Sequence, residues 1–186
     1  VMSVFFNILK PIVALFCVLL TFSVPVRAEE GLDDLFTLLA QPDLQNWEVV
    51  EEKIWQEWSR SGSASMNLLL QRGNQALEEE DYEAAIEHLT ALIDHAPDFA
   101  EGWNARARAY YQIGLYGPAM ADLYTTLSLN PRHFAALTGL GVMLEDLERP
   151  SEALAVFRQV TAIHPHRPDV ITAIERLESQ VDGQDI

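Results

Sequence analysis

The chain carries a period of 34 residues between Met66 and Arg167. Prolines recur at that interval, as do two sets of small residues and one set of large apolar residues. The positions are Pro97, Pro131 and Pro165; Ala85, Ala119 and Ala153; Gly73, Ala107 and Gly141; and Leu69, Trp103 and Leu137. A fixed period of roughly 20 to 50 residues indicates units that cannot bury their apolar faces alone and therefore stack. The period predicts three stacked repeats.

Each repeat reads as two helices joined by a short turn. In the second repeat, helix A is predicted over 101–113 and helix B over 118–129. Ile86, Leu89 and Ile93 show the i, i+3, i+7 spacing of a half-buried helix in the first repeat. The proline after each B helix ends it, because proline has no N–H to continue the hydrogen-bond ladder. The small residues are expected to let helices approach closely, around larger side chains at Leu89, Leu123 and Phe157.

The middle repeat resembles the tetratricopeptide repeat family, whose pattern has its signature residues at the positions of Trp103, Ala107, Tyr110, Gly114, Tyr116, Ala119 and Pro131. The first repeat departs from that pattern at Ala76, and the third departs at Leu144 and Pro150. The resemblance implies an all-α fold, a tetratricopeptide-like α-solenoid of three helix-turn-helix repeats. Their predicted bounds are 66–99, 100–133 and 134–167. A capping helix is expected to follow over 168–181, with Val170, Ile174, Leu177 and Val181 on its buried face.

Residues 1–28 have the layout of a secretory signal. Lys10 precedes an uncharged apolar run that continues to Val26, and Val26-Arg27-Ala28 places small residues at the two positions that a signal peptidase reads. We therefore expect cleavage after Ala28 and localisation in a bacterial periplasm. The alternative is a signal that stays on the chain as an inner-membrane anchor.

Residues 29–62 are predicted to form a helical pair before the first repeat. Leu32, Leu35, Phe36 and Leu39 form one apolar stripe, and Trp47, Val50, Ile54 and Trp58 form a second. The pair is interpreted as a cap on the open apolar end of the array or as a degenerate repeat. The alternative is an aromatic face for dimerisation.

Charge and motif content narrow the class of function. The formal net charge of −16 argues against nucleic acid as a partner, because phosphates are bound through Lys and Arg. Cys17 is the sole cysteine, which excludes a disulfide within one chain. The chain has no Gly-rich phosphate loop, no Gly-x-Ser-x-Gly and no His-Glu-x-x-His. His164 and His166 are interpreted as exposed polar turn residues rather than metal ligands. We expect neither a cofactor nor catalysis.

The resemblance implies that helices A line a concave groove that contacts a peptide or a partner helix. The implied groove positions are Asn67, Leu70, Asn74 and Leu77; Glu101, Asn104, Arg108 and Tyr111; and Ala135, Thr138, Val142 and Glu145. Some family members hold a terminal carboxylate with a clamp of Lys, Asn and Arg. Asn74, Asn104 and Arg108 resemble part of that clamp. Leu70 stands where the clamp has Lys, and Thr138 and Val142 replace its last basic pair.

Together these features predict an exported, non-enzymatic protein-interaction module that acts as a scaffold or chaperone of envelope proteins. The alternatives are a signal-anchored inner-membrane assembly factor and an accessory subunit of an envelope enzyme complex. The identity of the partner and the oligomeric state are left open by the sequence.

Overall fold

The computed structural model describes residues 31–182, and all regular secondary structure in that range is α-helical. The predicted signal, residues 1–28, lies outside the described residues. The helices are α1 (Leu32–Leu39), α2 (Trp47–Trp58), α3 (Ala64–Glu78), α4 (Tyr82–His95), α5 (Ala100–Gln112), α6 (Tyr116–Leu129), α7 (Phe134–Asp146), α8 (Pro150–Ile163) and α9 (Pro168–Asp182). None of these described helices combines the length and the hydrophobicity that a membrane span requires.

Helices α3 to α8 form the three predicted hairpins, and the all-α stacked array is confirmed. Each helix packs against the next one in the chain, and the A helices α3, α5 and α7 also contact one another. The A helices therefore line one continuous inner face. The bounds of α5 agree with the predicted 101–113 to within one residue at each end.

Close approach within each hairpin requires the small residues of the period. A Cβ atom on Gly73 would lie 2.5 Å from Cγ of Leu89, and one on Gly141 would lie 2.5 Å from Cε1 of Phe157. Neither distance is compatible with a real side chain, so only glycine fits at these two positions. Ala107, at the equivalent position of the second repeat, is 2% exposed, and Ala119 on its B helix is fully buried. The predicted packing role of the small residues is confirmed.

The turn inside each hairpin repeats the same backbone conformation every 34 residues. Glu80, Gly114 and Glu148 adopt positive φ angles of 58°, 75° and 57°. The next residue along donates its N–H back to the last turn of helix A, as from Leu115 to the carbonyl of Tyr110 at 2.9 Å. This is a Schellman motif, which satisfies carbonyls that the end of a helix leaves free.

An ion pair that the sequence analysis did not predict lies within the second repeat, and its arginine also bonds to the first repeat. Arg106 on α5 donates to both carboxylate oxygens of Asp122 on α6, at 2.7 and 2.9 Å, and to the hydroxyl of Thr90 on α4 at 3.1 Å. Both charged side chains are largely buried. The hydrogen bond to Asp122 raises the pKa of Arg106 above its ordinary value. The pair thereby fixes three helices around one guanidinium.

The N-terminal pair, α1 and α2, folds back onto the far end of the array. Leu39, Ile54 and Trp58 share a continuous core with repeats 2 and 3 and with α9, whereas repeat 1 has a separate core of its own. The expected cap ahead of repeat 1 is therefore not the arrangement that forms. Burial of a large apolar side chain contributes roughly 1.5–3 kcal/mol. The aromatic stripe thus packs within this chain and stabilises it, and it does not form an exposed face for dimerisation.

Polar contacts fix the N-terminal pair at the turns that precede α7 and α9. Asp33 on α1 forms an ion pair with Arg132. His166 Nε2 lies 3.1 Å from the carbonyl oxygen of Leu39 and donates to it. Glu51 lies 3.4 Å from His164 Nε2, and this interaction lowers the pKa of the Glu51 carboxyl. The pair is held by directional contacts as well as by burial.

Candidate functional site

An open cleft of about 470 Å³ lies on the inner face, between α5 and α7. The two A helices supply most of its walls, and α2 and the turn before α9 supply one residue each. Its lining residues are Trp55, Asn104, Ala107, Arg108, Tyr111, Gln112, Leu123, Ala135, Thr138, Gly139, Val142, Met143 and Arg167. The volume falls in the range of about 300–1,000 Å³ that is usual for ligand pockets.

Beside this cleft, helix α2 packs on the start of α7. The Trp58 indole stacks on the His133 imidazole, with ring centroids 4.0 Å apart. His133 in turn lies 3.0 Å from the Glu101 carboxylate, which accepts a further bond from Asn104. Glu101 and Asn104 are only 3% and 1% exposed. The predicted groove residue Glu101 is therefore buried and not open to a ligand, whereas Asn104, although buried, belongs to the lining of the cleft.

The open cleft combines an apolar floor with one unpaired cation. Leu123, Val142 and Met143 supply the floor. Arg108 is exposed, and within residues 31–182 it forms no hydrogen bond or ion pair. A guanidinium carries five donors in a planar fork that matches a carboxylate. The cleft can therefore take an apolar group with an acidic group beside it.

Tyr111 is held at the wall of the cleft by a contact between repeats. Its hydroxyl donates to Asp146 Oδ2 at 2.7 Å, so that α5 and α7 are joined across the inner face. The hydrogen bond to that carboxylate, together with partial burial, raises the pKa of Tyr111 to about 12. The ring is thus fixed in place and neutral at ordinary pH.

Among the cleft residues that sequence reasoning missed, Trp55 and Arg167 come from outside the repeat helices, and the others are Ala107, Gln112, Leu123, Gly139 and Met143. Trp55 is half-buried and follows Ile54, outside the apolar stripe from which the burial of α2 was predicted. A tryptophan off the buried stripe of an amphipathic helix was the signal available for it. Arg167 pairs with Asp169 at 2.6 Å, and it lies 3.8 Å from Glu51.

The predicted groove positions of repeat 1 form a separate, polar cleft. Asn67, Leu70 and Asn74 line about 590 Å³ together with Ser59, Gln71, Gln75, Glu78 and Glu79. Leu70 is buried in the core of repeat 1 rather than offered to a ligand, and Leu77 packs against that core. The amide oxygen of Asn67 is taken by the N–H and the hydroxyl of Ser61.

The remaining predicted positions lie on α7. Thr138 and Val142 line the open cleft, and the Thr138 hydroxyl donates to the carbonyl of Phe134 at 2.8 Å. Glu145 forms an ion pair with Arg176 on α9 at 2.6 Å. The open cleft thus unites Asn104, Arg108, Tyr111, Ala135, Thr138 and Val142, and it separates them from the predicted positions of repeat 1.

His164 and His166 are not the exposed turn residues that the sequence suggested. His164 is fully buried, and both rings pack against Trp47, with centroids 5.2 and 6.0 Å away. Within residues 31–182, no group of three or more His, Cys, Asp or Glu side chains is placed to hold a metal ion. These histidines serve the docking of the N-terminal pair.

Two comparisons assign the class of protein that this fold defines. The tetratricopeptide repeat family model matches residues 70–127 and 119–168. A TPR repeat-containing protein of Rhizobium etli is 35% identical over 138 residues, which cover 74% of this chain and 68% of that protein. The chain belongs to the tetratricopeptide repeat family.

Solved structures of that family are similar to the repeat array. The first TPR domain of Spaghetti (RPAP3), bound to the HSP90 peptide SRMEEVD, has a TM-score of 0.62 at 21% identity and covers 64% of this chain and 95% of that one. The second TPR domain of human RPAP3, in complex with the HSP70 peptide SGPTIEEVD, has a TM-score of 0.56 at 26% identity, covering 64% and 98%.

Proposed function

We propose that this protein is a non-enzymatic interaction module that binds a segment of a partner protein in the cleft between α5 and α7. An apolar side chain of the partner lies on Val142 and Met143, and a carboxylate of the partner pairs with Arg108. The observation that carries the proposal is an unpaired guanidinium at an apolar cleft, in a protein whose formal net charge is −16. In such a protein, a free cation facing an apolar cleft selects an acidic partner locally.

The human relative supports a peptide as the ligand. Its second TPR domain was solved with a peptide that ends in Glu-Glu-Val-Asp, and it shares the hairpin array of this chain. That peptide places apolar and acidic side chains side by side, as the cleft of this protein requires. This chain offers fewer cations than the carboxylate clamp of some family members, because Leu70, Thr138 and Val142 carry no charge.

For the cellular setting, the proposal is export to a bacterial periplasm and action as a scaffold or chaperone of envelope proteins. Lys10, the apolar run after it and Val26-Arg27-Ala28 support it. Amino-terminal sequencing of the protein recovered from fractionated cells is expected to begin at Glu29. An intact chain that resists carbonate extraction would favour the anchored assembly factor or accessory subunit instead.

The binding test begins with a random peptide library displayed on phage and selected on the protein. We expect the enriched peptides to place an acidic residue beside an apolar one. Arg108→Glu should weaken the tightest of these peptides by about 2 kcal/mol, roughly thirtyfold, as measured by fluorescence anisotropy.

The matched control is Arg72→Glu, which makes the same change of charge at an exposed arginine of α3 outside this cleft. Its affinity for the peptide should stay near that of the wild type. Equal affinity of the wild type and Arg108→Glu would show that binding lies elsewhere and would overturn the proposal. Circular dichroism should be the same for all three proteins, since both arginines are exposed.

A further inference from the structure

We propose that helix α2 is a fixed part of the partner-binding site and that the Trp55 side chain bounds this site at one end. The site then accepts a short acidic and apolar segment, such as a loop tip or a chain end. A peptide running along the whole inner face is excluded. This inference rests on the proposed function and deepens it, because it states what shape of partner the cleft takes.

Helix α2 borders the cleft through Trp55. Trp58 stacks on His133 at the start of α7, and Trp47 packs on His164 and His166 at the turn before α9. Helix α2 therefore runs from the turn before α9 to the start of α7, and its Trp55 lines the cleft. Along that line Glu101 is only 3% exposed and is closed to another chain, whereas Asn104, although 1% exposed, lies in the lining of the cleft.

Helix α2 is held in place by buried side chains and by polar contacts. Leu39 and Ile54 are fully buried in the core shared with repeats 2 and 3. The Glu51–His164 contact and the bond from His166 to the Leu39 carbonyl are largely shielded from solvent. Displacing the helix would expose all of these groups to solvent at once. A partner therefore binds against α2 and does not displace it.

Contacts within the fold orient Trp55. Its ring makes edge-to-face contacts with His133 and Phe134, each at a centroid distance of 6.0 Å. Its indole N–H points to Glu51 Oε1 at 3.4 Å. One side of the ring is thus supported by the fold, while the side chain remains half-buried and lines the cleft. A supported aromatic face of this kind is typical of binding hot spots.

The charges around the cleft differ in their pairing. Arg167, beside Trp55, is engaged by Asp169 and lies near Glu51. Arg108 is the arginine of this cleft that has no partner within residues 31–182. An occupant therefore places its apolar side chain on Trp55 and directs its carboxylate to Arg108.

The test uses the tightest peptide from the phage selection, measured by anisotropy against three variants. Trp55→Ala should weaken binding at least tenfold, and Trp55→Phe should retain most of the affinity because an aromatic face remains. Val49→Ala changes an exposed residue of the same helix and should bind like the wild type. Unchanged or tighter peptide binding by Trp55→Ala overturns the inference. If the partner displaced α2, weaker packing of that helix would open the groove more easily and the peptide would bind at least as tightly.

A second measurement leaves the protein unaltered. The same peptide, with benzoylphenylalanine at its apolar position, is photo-crosslinked to the wild-type chain, and the adduct is mapped by mass spectrometry. Adducts within 47–58 and 135–143 support the inference, and adducts confined to α3 and α4 overturn it. If Arg108→Glu loses the peptide while Trp55→Ala keeps it, this inference fails and the proposed function stands; if both keep it, both fail.

Discussion

The indole of Trp58 lies almost flat on the imidazole of His133, with ring planes inclined by 14°. His133 also begins α7, because its Nδ1 accepts the N–H of Ala136 at 3.2 Å. Its Nε2 therefore carries the proton and donates to the buried carboxylate of Glu101. One histidine thus caps the start of a helix, bonds to a buried carboxylate and supports helix α2 through its ring.

Trp58→Ala should lower the free energy of unfolding by about 3–5 kcal/mol, the usual cost of truncating a buried aromatic residue. Hydrogen exchange should accelerate over 47–58, while α3 and α4 keep their protection because repeat 1 has a separate core. Val49→Ala, at a side chain that is 58% exposed, should change stability by less than about 0.5 kcal/mol. Intact protection of α2 in Trp58→Ala would contradict the role given to the stack.

The left-handed turns allow a paired test. Glu148→Gly should stabilise the protein by about 0.5–1 kcal/mol, because glycine adopts φ of 57° without the strain that a Cβ brings. Gly114→Ala should destabilise it by about 1 kcal/mol at the equivalent position of the second repeat, where φ is 75°. Urea denaturation measures both. Changes of the same sign in the free energy of unfolding of the two variants would show that the left-handed backbone conformation does not determine their stability.

The Arg106–Asp122 pair is expected to be sensitive to loss of one partner. Asp122→Asn leaves the guanidinium largely buried without its counter-charge, and this should cost about 3 kcal/mol of stability. Thermal unfolding followed by circular dichroism would report the loss. Glu87→Gln, at an exposed position of α4, should leave the melting temperature close to that of the wild type. A melting temperature of Asp122→Asn equal to that control would refute the structural role of the pair.

The contact between Tyr111 and Asp146 should be visible in a pH titration. Because the pKa of Tyr111 is raised to about 12 from its ordinary value of 10.0, the stabilisation is complete below pH 10 and is lost as pH rises toward 12. Ultraviolet absorbance of phenolate should show one tyrosine ionising late in the wild type. In Asp146→Asn that late step should move toward pH 10. A late step that persists in the variant would assign it to another tyrosine.

The sequence by itself determined the repeat array. The contact of Gly73 with Leu89 recurs two periods later as the contact of Gly141 with Phe157. Each contact joins the two helices of one hairpin. Repeat proteins are stabilised mainly within repeats and between nearest neighbours, so a local pattern is enough to specify them. The A-helix positions Arg108 and Val142 both line the cleft between α5 and α7.

Only the tertiary structure decided where the N-terminal pair lies and what remains of the groove. Its stripes showed that Ile54 and Trp58 would be buried, but not against what, because burial of apolar surface is non-directional. The direction is set after α2, where Gly62 turns with φ of 79°, and by the match of the tryptophans to His133 and His164. That fold-back buries Glu101 and brings Trp55 into the cleft, because side chains distant in the sequence meet only after the array has formed.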